Sequence, residues 1–121
     1  MLGNFKIIDV NERMANGTSL VGYITEDYST LVEVFGPPHY DQPSGDGKVH
    51  TEWNLEFTVQ EDGEFDTETV IATIYDWKEE SAQVARTTPK YQWHVGGHNK
   101  FDALECITQR IADHFRKFGK K

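Results

Sequence analysis

The sequence predicts an α+β two-layer sandwich: an antiparallel sheet of about four strands with two helices on one face, in the order β-α-β-β-β-α. Three observations carry that expectation. Val49, Thr51, Trp53, Leu55, Phe57 and Val59 alternate with His50, Glu52, Asn54, Glu56, Thr58 and Gln60, the period of a strand with one wet face. Tyr28, Leu31, Val32 and Phe35 recur at i, i+3, i+4 and i+7, one apolar helical stripe. Phe101, Leu104, Ile107, Ile111, Phe115 and Phe118 form a second helical stripe later in the chain.

Taken in order, Phe5 to Val10 reads as a strand or an arm, and residues 1–18 stay between an N-terminal arm and an extra strand, with Asn16-Gly17 as the turn. Ser19-Leu20-Val21-Gly22-Tyr23-Ile24 favours β structure. Thr25 then offers a hydroxyl to cap a helix, placing Glu26 and Asp27 at the positive end of its dipole. Gly36 supplies a left-handed stop and Pro37-Pro38 prevents continuation. Residues 39–48 have loop composition, with Asp46-Gly47 as a tight turn. The strand from Val49 follows, and after Asp62-Gly63 the mostly apolar run Val70 to Trp77 predicts a central strand. Tyr91 to Val95 predicts a third strand of this group. Gly96-Gly97 is expected to break the sheet, Asn99 to cap, and the last helix to run from about Lys100 to Phe118. No repeat, low-complexity tract or linker divides the 121 residues, so a single domain is expected.

Composition removes several classes. With 37% hydrophobic and 26% charged residues, the chain should fold rather than stay disordered. No stretch approaches the roughly 18 apolar residues of a membrane span. Met1-Leu2-Gly3-Asn4-Phe5-Lys6 lacks the pattern of a signal peptide, so the cytoplasm is the expected setting, without a membrane. The lone Cys106 forms no internal disulfide and no multi-cysteine zinc site; it reads as a small packed helix residue, partly exposed. The net charge is −8, yet Arg110, Arg116, Lys117, Lys120 and Lys121 oppose only Asp113 in residues 110–121. The body is therefore strongly acidic. Glu52, Glu56, Glu61, Asp62, Glu64, Asp66, Glu68, Asp76, Glu79 and Glu80 face only Lys78 within their span. Such a surface repels duplex nucleic acid and suits a basic protein, although acids also serve solubility alone.

Three constellations bear on chemistry. His94-Val95-Gly96-Gly97-His98 separates two imidazoles across a strand end and a glycine turn, where helical zinc spacing has no meaning; Asp76 or His50 would have to add a ligand. The plainer reading puts Trp93 and Val95 in the core and turns His94 outward. Asp76-Trp77-Lys78, after a strand bearing Glu52 and Glu56, has the order of metal-dependent nucleases, but a triplet this short also arises by chance. Gly96-Gly97 ahead of a helix could cradle a phosphate, with Tyr75, Trp77 or Trp93 stacking on a base. The alternative is a turn of unusual backbone angles. A double-stranded RNA-binding domain shares the element order but needs basic residues where Asp102 and Glu105 stand. Aromatic residues make up 12% of the chain, and Tyr40, Phe65 and Trp77 are the ones expected at the surface.

Gly22-Tyr23-Ile24-Thr25, Leu31 to Pro38, Lys48 to Trp53, Ala72 to Lys78 and Trp93 to His98 together resemble a family of small bacteriophage-encoded accessory proteins. The resemblance covers about residues 19–105. It implies a setting, a small accessory phage protein made in the host bacterial cytoplasm; proteins of that type often act on host machinery or antiviral defence, as anti-CRISPR inhibitors, DNA mimics or nucleotide sponges. It assigns no catalytic residue.

The leading expectation is a protein without enzymatic activity that binds and inhibits a basic-surfaced host protein, such as a defence or nucleic-acid enzyme. Its binding residues would be Glu52, Glu56, Glu61, Asp62, Glu64, Tyr75, Asp76, Trp77, His94 and His98, with no cofactor and no resident metal. Tyr75, Asp76, Trp77, His94 and His98 are expected near one sheet end, as a docking patch or as a brace in which Asp76 accepts from His94 or backbone amides. A nucleotide-sequestering protein is the first alternative, and a metal-dependent hydrolase or nuclease using Asp76, His94 and His98 the second. A homodimer stays open.

Overall fold

The computed structural model describes residues 4–13, 17–99 and 102–119. Its elements are β1 (Phe5–Glu12), β2 (Ser19–Glu26), α1 (Tyr28–Phe35), β3 (Glu52–Glu61), β4 (Glu68–Tyr75), α2 (Ala82–Thr87), β5 (Tyr91–Gly97) and α3 (Asp102–Phe118). All strand pairs are antiparallel, and the sheet order is β1-β3-β4-β5-β2. The α+β class holds. The sheet has five strands rather than four, because Phe5–Glu12 pairs with β3 as a full strand. The described residues form three helices rather than two.

The alternation in the sequence sets which face is buried. Trp53, Leu55, Phe57 and Val59 of β3, Val70, Ala72 and Ile74 of β4, and Trp93 and Val95 of β5 point to one face and are buried there. Onto this face pack Leu31 of α1 and Ala103, Cys106 and Ile107 of α3. A Cβ built on Gly97 would lie 2.8 Å from the Ala103 Cβ, and one on Gly22 2.6 Å from Leu104, so α3 sits close against β5 and β2. Trp53 and Trp93 meet edge to face at 5.5 Å, and each indole N–H donates to a carbonyl at an end of α1: Trp53 to Gly36 at 2.9 Å, Trp93 to Glu26 at 3.0 Å. These bonds fix α1 over the sheet.

Several local expectations change. β2 runs on through Thr25 to Glu26, so Asp27 rather than Thr25 precedes α1. The Asp27 side chain accepts from the Lys90 amide at 2.7 Å instead of capping its own helix. The stop at Gly36, with φ of 84°, is as expected. Val49 to Thr51 are loop, held there by Asp76, and β3 begins at Glu52. Gly96 and Gly97 do not break the sheet; they continue β5, paired with Thr73 and Ala72 on one side and with Leu20 and Ser19 on the other. Asn99 accepts from the Asp102 amide at 3.3 Å, the capping role foreseen for it. Phe101, placed on the last helical stripe, lies outside the described residues. Cys106 is fully buried, not partly exposed, and burial pushes its thiol up to about 12. Among the described residues, no helix is long and apolar enough to cross a membrane.

Candidate functional site

The face away from α3 carries a continuous cross-strand row. Glu52 pairs with Tyr75, Tyr75 with His94, and His94 with Tyr23, so four neighbouring strands each contribute one side chain at the same level. The His94 ring is in the middle, 4.9 Å from Tyr23, 5.5 Å from Tyr75 and 5.8 Å from Trp77. Tyr75 and Trp77 are 6.1 Å apart. Tyr23 is 48% exposed and Trp77 36%, whereas Tyr75 and His94 are half-buried between them. The result is a ridge of four aromatic rings with its outer members in solvent.

Loops hold Trp77 and Glu52, the two residues that flank Tyr75. Lys78 takes a left-handed backbone with φ of 56°, its amide donates to the Lys48 carbonyl at 2.7 Å, and both ammonium groups lie 5.8 Å from the Trp77 ring centre. The Glu52 carboxylate accepts from the Asn54 amide group at 2.8 Å, and the Glu52 backbone pairs with Tyr40. Glu56, on the same face, pairs with Arg13. Burial lowers the affinity of His94 for a proton, a nearby Glu79 opposes the shift, and its Nδ1 is buried with no hydrogen-bond partner. Burial also raises Tyr75, helped by Glu52. Hence the Tyr75 phenol keeps its proton and the His94 imidazole is neutral near neutral pH.

Asp76 does not join the exposed row. It is fully buried, and its Oδ1 accepts from the amides of His50 at 2.7 Å and Thr51 at 3.0 Å. Its own amide donates to the Thr51 carbonyl at 3.2 Å. Of the two roles foreseen, Asp76 takes the brace, through amides and not through His94. Its Oδ2 lies 3.7 Å from His50 Nδ1.

Glu61, Asp62 and Glu64 belong to a second feature, the β3–β4 hairpin. The Gln60 amide group donates to the Glu64 carbonyl at 2.9 Å and the Phe65 carbonyl at 3.3 Å, the Asp62 amide reaches the Asn4 carbonyl at 2.8 Å, and Gly63 turns the chain with φ of 83°. Phe65 stands at this tip 98% exposed, between Asp62 and Glu64 on one side and Asp66 and Glu68 on the other, all exposed. A large exposed aromatic residue ringed by carboxylates is the composition of an interface anchor.

The structure therefore joins Glu52, Tyr75, Trp77 and His94, puts Glu56 on the same face, and sets Glu61, Asp62 and Glu64 on the hairpin. His98 is not in the patch; it follows β5, exposed beside Gly17. A Gly96-Gly97 phosphate cradle is not formed, because both residues lie within the sheet and Gly96 is closed by Thr73. Nor do Asp76, His94 and His98 converge, and no group of three metal-ligating side chains occurs among the described residues. Tyr23 was missed in the sequence: its place beside His94 depends on β2 pairing with β5, which nothing local encodes. No family model, curated protein or solved structure matches this chain, so its site stands on its own residues.

Proposed function

We propose that this chain is a binding protein without enzymatic activity, a small phage accessory protein that occupies a basic surface of a host enzyme of defence or nucleic-acid metabolism. The observation that carries this reading is the Glu52–Tyr75–His94–Tyr23 row with Trp77 beside it. An aromatic surface with a carboxylate at its end suits an arginine side chain, which stacks on rings and pairs with a carboxylate. The acidic hairpin with Phe65 at its tip extends the same complementarity. The phage setting rests on the sequence resemblance.

The test is capture of partners from bacterial lysates carrying defence systems, with wild type, Tyr75→Ala and Phe65→Ser compared at low and high salt. A basic protein retained in stoichiometric amount by wild type, released by salt and weakened at least about tenfold by Tyr75→Ala is the expected result. Equal retention by wild type and Tyr75→Ala, or no basic partner in any lysate, overturns the reading.

A further inference from the structure

We propose that β2 pairs antiparallel with β2 of a second copy of this chain, joining two sheets through their edges. β2 is an outer strand, and among the described residues no backbone hydrogen bond reaches its free edge. Edge strands are commonly defended by lysine, proline or inward charge. β1 has such a defence in Lys6, Asp9 and Glu12. β2 has neither lysine nor proline, only a bulge between Leu20 and Gly22, and it leaves Leu20 49% and Tyr23 48% exposed.

Charge names the occupant. Residues 14–25 are the longest stretch of the sequence without Asp, Glu, Lys or Arg, and Ser19 to Thr25 of it form this edge. A basic partner would find almost no carboxylate there. Two copies, each of net charge −8, would bring Asp9 and Glu12 together at the other edge of the described sheet, β1. The register is self-complementary as well. Pairing centred between Val21 and Gly22 sets Leu20 opposite Tyr23 of the second copy on the aromatic face, and Ser19 opposite Ile24 of the second copy on the helix face. Glu26, the strand's single acid, then falls opposite Gly17 of the second copy, far from the other Glu26. Beneath the edge, a groove of about 360 Å³ is lined by Ile24, Thr25 and Glu26 of β2 and by Thr108, Ile111 and Ala112 of α3, and its Ile24, Ile111 and Ala112 side chains give the second copy apolar surface to cover.

The test is sedimentation equilibrium of the full chain across the micromolar to millimolar range, with amide exchange at residues 19–25 as a second measurement. The expected mass for wild type is twice the 13.9 kDa of one chain, with slower exchange as concentration rises. Leu20→Lys should return the mass to 13.9 kDa with an unchanged circular dichroism spectrum, and Ile8→Lys on β1 should leave the dimer intact. A wild-type monomer throughout, a dimer that survives Leu20→Lys, or loss of the dimer in Ile8→Lys overturns the proposal. No partner protein enters this readout, so its failure is separate from failure of the host-binding reading.

Discussion

His94 couples the aromatic row to pH. Its folded-state proton affinity is lowered by burial from an ordinary value of 6.5, so on acidification the unfolded chain takes up this proton before the folded one. Stability should therefore hold above about pH 6.5 and fall as the pH drops from there towards the native pKa of His94. His94→Gln removes the titration and should flatten that part of the profile, seen as a smaller loss of urea midpoint between about pH 7.5 and about pH 5.5. An equal loss in both proteins would mean that other groups carry the acid sensitivity. At this scale much was legible in the sequence. The alternation Trp93-His94-Val95 told which side chains enter the core, and Tyr40, Phe65 and Trp77 are exposed as their polar neighbours suggested. The bracing role of Asp76 was legible but its donors were not, because they are loop amides more than twenty residues away. A carboxylate's hydrogen-bond acceptors say nothing of where the donors will be.

Between elements, the glycines of β5 set how closely α3 packs. Gly97 has ordinary strand geometry, yet an added Cβ would stand 2.8 Å from Ala103 and 3.3 Å from the Ile71 carbonyl, and neither neighbour is a flexible chain end. Gly97→Ala should lift the start of α3 and cost about 1–3 kcal/mol in urea unfolding, the range for overpacked cores. Gly45→Ala meets open space and should cost little. If the two variants unfold alike, α3 is not seated by this contact. The same closeness explains a misreading: a glycine pair ahead of a helix has the composition of a turn, but here it is the thin part of a strand that admits the helix. α2 escaped the sequence because its six residues hold a single fully buried anchor, Ala85, too short for a period to emerge. β3 lost its first three alternating residues because alternation continues unchanged into a loop that Asp76 pins. The stripes of α1 and α3 and the alternation of β3 were long enough to be read; the sheet order, which places β1 and β2 on opposite edges, is a long-range property.

For the whole molecule, the excess of acidic charge acts with opposite sign on the two associations. A basic partner is attracted by a chain of net charge −8, and that attraction reaches over roughly the Debye length, about 10 Å at 0.1 M salt and about 3 Å at 1 M. Its association rate and affinity should fall as salt rises. Two copies of this chain repel one another through the same charge, while Ser19 to Thr25 of their strand edges carry none. Screening removes the repulsion and leaves the backbone pairing and the apolar contact of Leu20 with Tyr23 untouched, so dimerisation should strengthen over the same salt range. Titrating salt in sedimentation and in partner capture therefore gives two curves of opposite slope. Dimerisation that weakens with salt would require ion pairs across its interface, which an edge formed by Ser19 to Thr25 does not possess. Partner binding indifferent to salt would leave the acidic surface without a part in recognition and move the weight of binding onto the rings of Tyr23, Tyr75 and Trp77 alone.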